Sequence, residues 1–587
     1  MKVARDEGRD PGFDQFERFL DAWSRRDFIR RMGGAAALTA FMAGGLELLE
    51  ACGTTGTGPT QNVKKGGHVV EGATSDPTTF NRIFSTDTVS NIPIGMMFSN
   101  LLSAKALDGA QIPAIAKEVP RVASDQLTYR FDLRQDVTWS DGRPLTSEDV
   151  VFTYSLMAGS VYDYKAINSR YAPDLEEYLD SVTAPDKYTV VMKTKVPYAP
   201  FLTNYIFPPL PKHVLEPVVR KAPGDLRKAD FNFAPTVVSG AFTFDRWDKS
   251  QQVVLKANPK HFLGRPNLDS YVIKTVSDGV AIANQLKTGE IDVGGIEPSL
   301  WDDMATANKL NRISFVGPSY DYFGYNMDPA NDKRPVSGKI FGDPSTGKMV
   351  RQALLYAVDR QSVADRVYFK QAEVATSVEP KTSWALSSNV MKYPFDAKKA
   401  ADLLDQAGWK PGPDGIRTKG GVRFSFEVIT NVGNKARETT IQVLAESWRK
   451  IGVEAQPKPI QFTEYVKTST TRDFDMVMGG IVSGVDPDLS QIYHSRIIGK
   501  GLNRMGYRNS QLDDLLDKAV QVLDQGKRKQ IYVQVQQILM EEVPASMLVW
   551  PKALVGVSKR VQNFGVGPFN RNQNRPWLRD VWVTDGR

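Results

Sequence analysis

Cysteine is almost absent from this sequence, with Cys52 the only one among 587 residues. One cysteine cannot form a disulfide bond within the chain, so the fold cannot depend on internal disulfides. Histidine is scarce as well, and the four residues at positions 68, 213, 261 and 494 stand in unlike contexts. Neither a cysteine cluster nor the patterns His-Glu-x-x-His and Gly-x-Ser-x-Gly occur. The sequence therefore lacks the motifs that supply the metal ligands of a zinc hydrolase or the nucleophile of a serine hydrolase. We therefore expect a protein that is not an enzyme, with no metal and no cofactor.

Long apolar runs are missing after residue 51. No later run approaches the roughly 18 residues that a membrane-spanning helix needs. Hydrophobic residues make up 41% of the chain and charged residues 24%, which is typical of a globular protein. The net charge of +7 comes without a long basic run or an alternation of basic and aromatic residues, so nucleic-acid binding is not expected. The remaining chain is too long for one ordinary core and favours two or three lobes.

The first 51 residues have the pattern of a twin-arginine export signal. Arg25 and Arg26 are followed by Phe28-Ile29 and a further base. A weakly apolar run, rich in Gly and Ala, then extends from Met32 to Leu49. We interpret residues 1–51 as the export signal of a protein that works in the periplasm or on the outer face of the cytoplasmic membrane. The alternative is an ordinary amphipathic helix.

The only cysteine stands directly after this segment, where Leu49-Glu50-Ala51-Cys52 resembles a lipoprotein cleavage box. Glu50 is an unusual residue for such a box. Small and polar residues then predict a flexible tether over residues 52–67. We expect Cys52 to carry a lipid anchor that is the chain's only attachment to the membrane.

Short periodic patterns in the body of the chain predict both strands and helices. Tyr129, Phe131 and Leu133 alternate with polar residues, as in a half-buried strand. Thr146 and Asp149 form a capping box before an apolar helix that ends near Met157. Further strands are predicted at 68–73, 188–195, 251–256 and 422–428, and further helices at 350–357, 397–407 and 439–450. This interleaving, with no short repeat, favours mixed α/β lobes.

The order of several longer segments identifies a family. Tyr129–Arg134 and Trp139–Phe152 closely resemble the signature of the bacterial extracellular solute-binding proteins of family 5, the peptide- and nickel-binding receptors of ABC importers. The resemblance covers nearly all of residues 63–570 and continues in order through Pro211–Leu215, Ser239–Phe244, Asn258–Asp269, Leu286–Asp292, Val350–Arg360 and Asp402–Trp409.

The resemblance implies a two-lobed α/β fold of the periplasmic-binding-protein type (type II, cluster C) with hinge crossovers. Lobe I would comprise residues 63–90, 209–318 and 546–587, with an accessory domain inserted at 91–208, and lobe II would comprise 319–545. The lobes would close on a peptide or peptide-like solute and deliver it to an ABC permease and its ATPase, with the chain acting as a monomer. The alternatives are a non-peptide ligand (an oligosaccharide, an opine or a metal chelate) and a sensory receptor.

The resemblance also suggests ligand contacts. In the family's peptide receptors an extended peptide pairs with a strand edge, and an aspartate just after that strand neutralises its amino group. The matching strand here is Asp475–Val482, and Ser483 stands at the place of the aspartate. A serine cannot neutralise an ammonium group, so either Asp486 takes this role or Asp486 belongs to a plain turn. The other candidate contacts are Asp76, Thr78, Tyr320, Tyr322, Asn326, Trp384, Gly480 and Val482.

Overall fold

The computed structural model of the protein describes residues 63–159, 161–328, 331, 333–569 and 575–586. Arg25, Arg26 and Cys52 lie outside these residues. From Lys65 onward the described chain forms one unit. Two large clusters of buried hydrophobic side chains divide it into lobe I (65–318 and 552–586) and lobe II (319–551). Within the described residues, no helix is both long and apolar enough to cross a membrane.

Lobe I begins with strand β1 (His68–Ala73), in which every second residue is buried. The strand predicted over 68–73 is thereby confirmed. The following strands are β2 (Leu102–Ala104), β3 (Gln111–Pro113), β4 (Thr128–Asp132), β5 (Leu179–Asp186), β6 (Thr189–Thr194), β7 (Phe242–Asp248), β8 (Gln252–Ala257), β9 (Ser270–Thr275), β10 (Val293–Gly295) and β11 (Leu310–Val316). The helices are α1 (Thr88–Met97), α2 (Ser147–Ala158), α3 (Tyr164–Ile167), α4 (Ala172–Tyr178), α5 (Phe201–Asn204), α6 (Lys212–Lys221) and α7 (Gly279–Thr288).

Lobe II is more helical. Its strands are β12 (Ser319–Tyr325), β13 (Ala372–Val374), β14 (Lys410–Pro411), β15 (Arg417–Lys419), β16 (Val422–Arg423), β17 (Ser425–Asn431), β18 (Glu454–Ile460) and β19 (Met476–Val482). Its helices are α8 (Pro335–Phe341), α9 (Gly347–Tyr356), α10 (Arg360–Ser362), α11 (Ala397–Gln406), α12 (Lys435–Arg449), α13 (Phe462–Thr470), α14 (Ser490–Tyr493), α15 (Ser510–Gln521) and α16 (Gln525–Glu542). The chain then returns to lobe I through β20 (Ala545–Ser558), β21 (Val561–Gln562) and β22 (Trp582–Val583).

Strand β20 belongs to both lobes. Its first half pairs with β12 and β13 of lobe II, and its second half pairs with β11 and β10 of lobe I. Strands of both lobes therefore join into one sheet in the order β18-β17-β19-β12-β20-β10-β1-β9-β8-β7, with β11 and β13 also paired to β20. The chain crosses between the lobes twice in the described residues, after β11 and within β20.

A three-stranded sheet in the order β4-β6-β5 lies in the segment predicted as an accessory domain. The capping box predicted at Thr146 and Asp149 is confirmed, since both of its hydrogen bonds are present at the start of α2. The predicted boundary at residue 91 falls inside α1 rather than in a linker. The buried residues of this region also belong to the same hydrophobic cluster as those of β1, β7, β8 and β9.

Two predicted elements of lobe II have different bounds in the structure. The single strand predicted over 422–428 is split at Phe424 into β16 and β17, because β16 pairs with β15 whereas β17 pairs with β18 and β19. The helix predicted over 439–450 begins at Lys435, where the Asn434 side chain accepts a hydrogen bond from the Arg437 amide. Asparagine is a favoured residue at this capping position.

Candidate functional site

A cavity of about 330 Å³ lies between the lobes, and two ion pairs lie on its walls. On the lobe I side, Arg575 and Glu71 form an ion pair at 2.6 Å. On the lobe II side, Arg437 and Asp321 form another at 2.7 Å, and the Tyr368 hydroxyl donates to Asp321 at 2.6 Å. These four charges are therefore balanced within the protein.

A second cavity, of about 260 Å³, also lies between the lobes and has a different lining. Its volume is near the lower end of the range for ligand pockets, about 300–1,000 Å³, which suits a small solute. Lobe I contributes Arg82, Arg170, Tyr171, Tyr205 and Phe207. Lobe II contributes Glu379, Ser483, Asp486, Asp488 and Gln491, among others.

Strand β19 positions the lobe II wall. It pairs with β12 along its whole length, up to the pair Val482–Ser319. The Ser483 amide then donates to the Pro318 carbonyl at 2.8 Å, and the chain turns through residues 484–489 into α14. On its other side β19 pairs with β17 only at Met476 and Val477. In the described residues, the rest of that edge has no partner strand.

The turn after β19 holds Asp486 in an ion pair with Arg528 of α16. The Arg528 guanidinium donates to both carboxylate oxygens, at 2.8 and 2.6 Å, and both side chains are buried. Arg528 also lies over the rings of Trp384 and Tyr532. This pairing neutralises Asp486, so it does not offer a free negative charge to a ligand.

Several acceptor atoms on the same wall are buried without a hydrogen-bond partner among the described residues. They are Glu379 Oε1, Ser483 Oγ, Asp488 Oδ2 and Gln491 Oε1. Burial raises the pKa of Glu379 to about 8, and the neighbouring charge of Asp486 adds to this rise. Burial likewise raises the pKa of Asp488 to about 6, with a further contribution from the charge of Asp174. The wall therefore has acceptors to offer a ligand.

The lobe I wall carries two positively charged side chains, those of Arg82 and Arg170. Arg82 and Arg170 both lie over the ring of Tyr171, at 5.6 and 4.4 Å from its centroid. Within the described part of the chain, their side-chain hydrogen bonds go to neutral groups, Asn91 and the Tyr171 hydroxyl. Burial lowers the pKa of Arg82, and the charge of Arg170 lowers it further.

The two lobes touch beside this cavity, so the structure is a closed form. Arg496 of lobe II donates to Asp174 of lobe I at 2.9 Å, and the Gln491 amide donates to the same carboxylate. The Tyr178 hydroxyl of lobe I donates to Asp517 of lobe II. Hydrogen bonds to charged groups contribute about 1.5–3 kcal/mol each, so these contacts stabilise closure.

The structure brings together some of the residues predicted as ligand contacts. Val482, Ser483 and Asp486 line the second cavity. Trp384 lies behind them against Arg528. Tyr320 and Tyr322 are buried in the core of lobe II.

The other predicted contacts lie away from the second cavity or make structural hydrogen bonds. Gly480 lies beside the Arg437–Asp321 pair, where a Cβ atom would approach Arg437 Nη2 to 2.0 Å. The Asn326 amide donates to the carbonyls of Arg472 and Phe474. Asp76 accepts hydrogen bonds from Ser250 and Thr275, and Thr78 donates to Asp87 beside the start of α1.

Glu379, Asp488, Arg82 and Arg170 were not predicted from the sequence. Asp488 stands two residues after Asp486, in the turn that was considered for Asp486 alone, whereas Glu379, Arg82 and Arg170 are single charged residues in three distant segments without a local motif. Their common position on one cavity is a property of the folded chain alone.

The chain belongs to the bacterial extracellular solute-binding proteins of family 5, because the family model "Bacterial extracellular solute-binding proteins, family 5 Middle" matches residues 110–498. The family resemblance and the two-lobed α/β fold predicted from the sequence are thereby confirmed. Members of this family are binding proteins that act outside the cytoplasm.

Particular relatives agree with this assignment. The oligopeptide-binding protein AppA of Bacillus subtilis is 33% identical over 516 residues, covering 86% of this chain and 90% of AppA. Protein XP55 of Streptomyces lividans is 30% identical over 528 residues, covering 89% and 90% of the two chains. The structure of AppA in complex with a nonapeptide superposes with a TM-score of 0.82 at 30% identity, covering 89% of this chain and 100% of the AppA chain in that structure. NikZ of Campylobacter jejuni, in complex with Ni(L-His), gives 0.75 at 26% identity, covering 88% of this chain and 99% of NikZ.

Proposed function

We propose that this protein is the receptor of an ABC importer that captures a short peptide or peptide-like solute and delivers it to a membrane permease with its ATPase. The observation that carries the proposal is the second cavity, whose walls come from both lobes and hold unpartnered polar groups. A solute that contacts both walls binds the closed form more tightly than the open form, and so shifts the population toward closure. The permease would recognise that closed form.

The free edge of β19 supports a peptide over other solutes. Beyond Val477 this edge has no partner strand in the described residues, and it leads to Val482 and Ser483 on the cavity. An extended peptide can add to such an edge through backbone hydrogen bonds, whatever its side chains. AppA, a relative with the same fold, has been solved with a nonapeptide.

Replacing Asp174 by asparagine is expected to weaken peptide binding about tenfold. Asp174 does not line the second cavity, but it accepts the hydrogen bond of Arg496 across the lobes. Its loss would therefore raise the free energy of the closed form without removing a ligand contact. Fluorescence titration with a pool of short peptides would measure the dissociation constant.

The matched control is Asp402→Asn, which alters an exposed ion pair with Lys398 inside lobe II. This control is expected to bind the pool as the unmodified protein does, because exposed pairs contribute little. Equal affinities of Asp174→Asn and Asp402→Asn would contradict capture by closure. Failure of the unmodified protein to bind any peptide of the pool would contradict the peptide as ligand.

We also propose that the chain leaves the cytoplasm by the twin-arginine route and is then held to the membrane by a lipid at Cys52. The support is the order of features in the sequence: Arg25-Arg26, a weakly apolar run, and the only cysteine at the end of a cleavage box. Two or more acyl chains on one cysteine would be enough for stable attachment.

Replacing both Arg25 and Arg26 by lysine is expected to abolish export and leave the protein in the cytoplasm. Lysine keeps the positive charge, so the variant separates recognition of the arginine pair from a general need for charge. Fractionation of cells followed by immunoblotting would measure the exported share, and Cys52→Ser is the companion variant. It should be exported but released from the membrane, and normal export of the double-lysine variant would refute the proposed route.

A further inference from the structure

The start of α12 in lobe II touches lobe I at the first cavity. Gly433, just before α12, packs so closely on lobe I that a Cβ atom there would lie 2.7 Å from the Ser277 carbonyl oxygen. Lys435, the first residue of α12, reaches across to Asp278 of lobe I, with 3.6 Å between its Nζ atom and the carboxylate. The lobes therefore meet at the start of α12 as well as at Arg496 beside the second cavity.

Glu297 of lobe I lies within this contact. It follows β10 and lines the first cavity together with Gly279, the first residue of α7, and Asn434, which caps α12. Its carboxyl group lies directly against Gly279. It also accepts a hydrogen bond from the backbone amide of Lys435. One partly buried carboxyl group therefore joins the starts of two helices that belong to different lobes.

Two further carboxyl groups face Glu297, one from each lobe. Asp278 caps α7 on the lobe I side, and Glu438 lies in the first turn of α12 on the lobe II side. The ammonium group between them belongs to Lys435, which is 3.6 Å from Asp278 and 3.1 Å from Glu438. In the described part of the chain, three carboxyl groups thus share one nearby ammonium group at this contact.

The other charged residues of the first cavity do not supply the missing positive charge. They are Glu71, Asp321, Arg437, Lys552 and Arg575. The two arginines are held by Glu71 and Asp321 in the ion pairs described above. Closing the lobes therefore brings the carboxyl group of Glu438 towards those of Asp278 and Glu297 and also removes Glu297 from water. Both changes disfavour the ionised form of Glu297.

We propose that Glu297 makes closing of the lobes take up a proton, so that the receptor holds its solute more tightly at acidic pH. The inference rests on the proposed function, capture by closure, and adds a regulatory group to it.

The sign of the effect follows from the two forms of the protein. In the closed structure, removal from water raises the pKa of Glu297 to about 7, and the charges of Asp278 and Glu438 contribute to the rise. In an open form that exposes Glu297 to water, its pKa would lie near the ordinary value of about 4.3. Between these two values the closed form binds more protons than the open form. Closure therefore becomes less favourable as the pH rises from about 4 to 7, and changes little above that range.

Replacing Glu297 by glutamine tests the inference, because glutamine has nearly the same shape as glutamic acid and has no proton to lose. Fluorescence titration with the pool of short peptides would give the dissociation constant of each protein at pH 5 and pH 8. The ratio of the constant at pH 8 to that at pH 5 is expected to be about 10- to 100-fold larger for the unmodified protein than for Glu297→Gln. Any titration of Glu379 and Asp488 in the second cavity contributes to both proteins and cancels in this comparison.

The same variant should bind the pool at pH 8 about tenfold more tightly than the unmodified protein, because it resembles the protonated form. Loss of a merely structural contact would weaken binding instead, and a misfolded variant could not gain affinity. The control is Glu290→Gln, which alters an exposed ion pair with Lys274 in lobe I. It should bind like the unmodified protein at both pH values.

The distance between the lobes gives a second readout that needs no ligand. Cys52→Ser removes the only cysteine, so spin labels can be attached at Lys287→Cys on α7 and Gln442→Cys on α12, both of which are exposed. Pulsed electron paramagnetic resonance would then measure the closed share of the protein. This share is expected to fall from pH 5 to pH 8 with Glu297 in place and to change much less with Glu297→Gln.

The outcomes separate this inference from the proposed function. If the pool binds and Glu297→Gln gains no affinity at pH 8, the inference is overturned while peptide capture stands. If the unmodified protein binds no peptide of the pool, the peptide is wrong as the ligand, and the spin-label distances alone decide the inference. An equal change of the closed share with and without Glu297→Gln would then overturn it.

Discussion

Replacing Asp321 by alanine is expected to lower the free energy of unfolding of lobe II by about 3 kcal/mol. The carboxylate accepts hydrogen bonds from Arg437 at 3.1 and 2.7 Å and from the Tyr368 hydroxyl at 2.6 Å. Its side chain is only 4% exposed, whereas that of Arg437 is 21% exposed. Removing one partner of a buried ion pair costs about 3–5 kcal/mol, and the partial exposure of Arg437 places the effect at the low end.

Urea denaturation followed by tryptophan fluorescence would measure this loss. Asp402→Ala is the matched control in the same lobe, because its pair with Lys398 is exposed and should contribute about 0.5 kcal/mol or less. A loss for Asp321→Ala no larger than that of the control would mean that Arg437 finds another partner. The nearest is the Asn431 side-chain oxygen, at 3.2 Å from Arg437 Nη1.

Replacing Trp448 by alanine is expected to cost about 3–5 kcal/mol of stability, the usual range for a buried large aromatic residue. Trp448 is fully buried on α12, and its ring contacts Phe323 and Phe426 with centroids 5.2 and 5.8 Å away. Its indole N–H also donates to the Leu354 carbonyl at 2.9 Å. Truncation would leave a cavity between the sheet and the helices of lobe II, and an unpaired carbonyl.

Calorimetry would follow this change as a lower melting temperature of lobe II. Trp448→Phe keeps a ring in place and should cost less, about 1–2 kcal/mol, because it loses the hydrogen bond and part of the packing. Trp301→Ala is the control in lobe I, where the ring is half-buried under Arg312 and should contribute about 1 kcal/mol or less. An equal effect of Trp448→Ala and Trp301→Ala would rule out the core role.

Features that depend on a few neighbouring residues could be predicted from the sequence. The alternation in β4 and the capping box of α2 are both present in the structure, because each is determined by residues within one strand or one helical turn. Helix α12 begins four residues before its predicted start, because Asn434 caps it ahead of the segment on which the prediction was made. The split between β16 and β17 depends on pairing with other strands, which a single segment does not reveal.

The candidate site was less predictable because its residues come from distant segments. The sequence left open whether Asp486 binds an amino group or belongs to a turn, and its neutralisation by Arg528 depends on packing across 42 positions. Glu379 lies about a hundred residues before Ser483, in a loop without a motif, and becomes a candidate only through its burial on the same cavity. Which charged side chains neutralise one another depends on their positions in the folded chain, and the order of residues in the sequence carries little information about those positions.

The sharing of β20 between the lobes limits the order in which the chain can fold during synthesis. Lobe II is continuous in the sequence and needs only its own residues and the first half of β20. The residues of β1 to β11 in lobe I are synthesised first. However, β10 and β11 are joined in the sheet only by the second half of β20, where Lys552 pairs with Val316. That strand leaves the ribosome after the whole of lobe II. The part of the protein that is made first is therefore the part that is completed last.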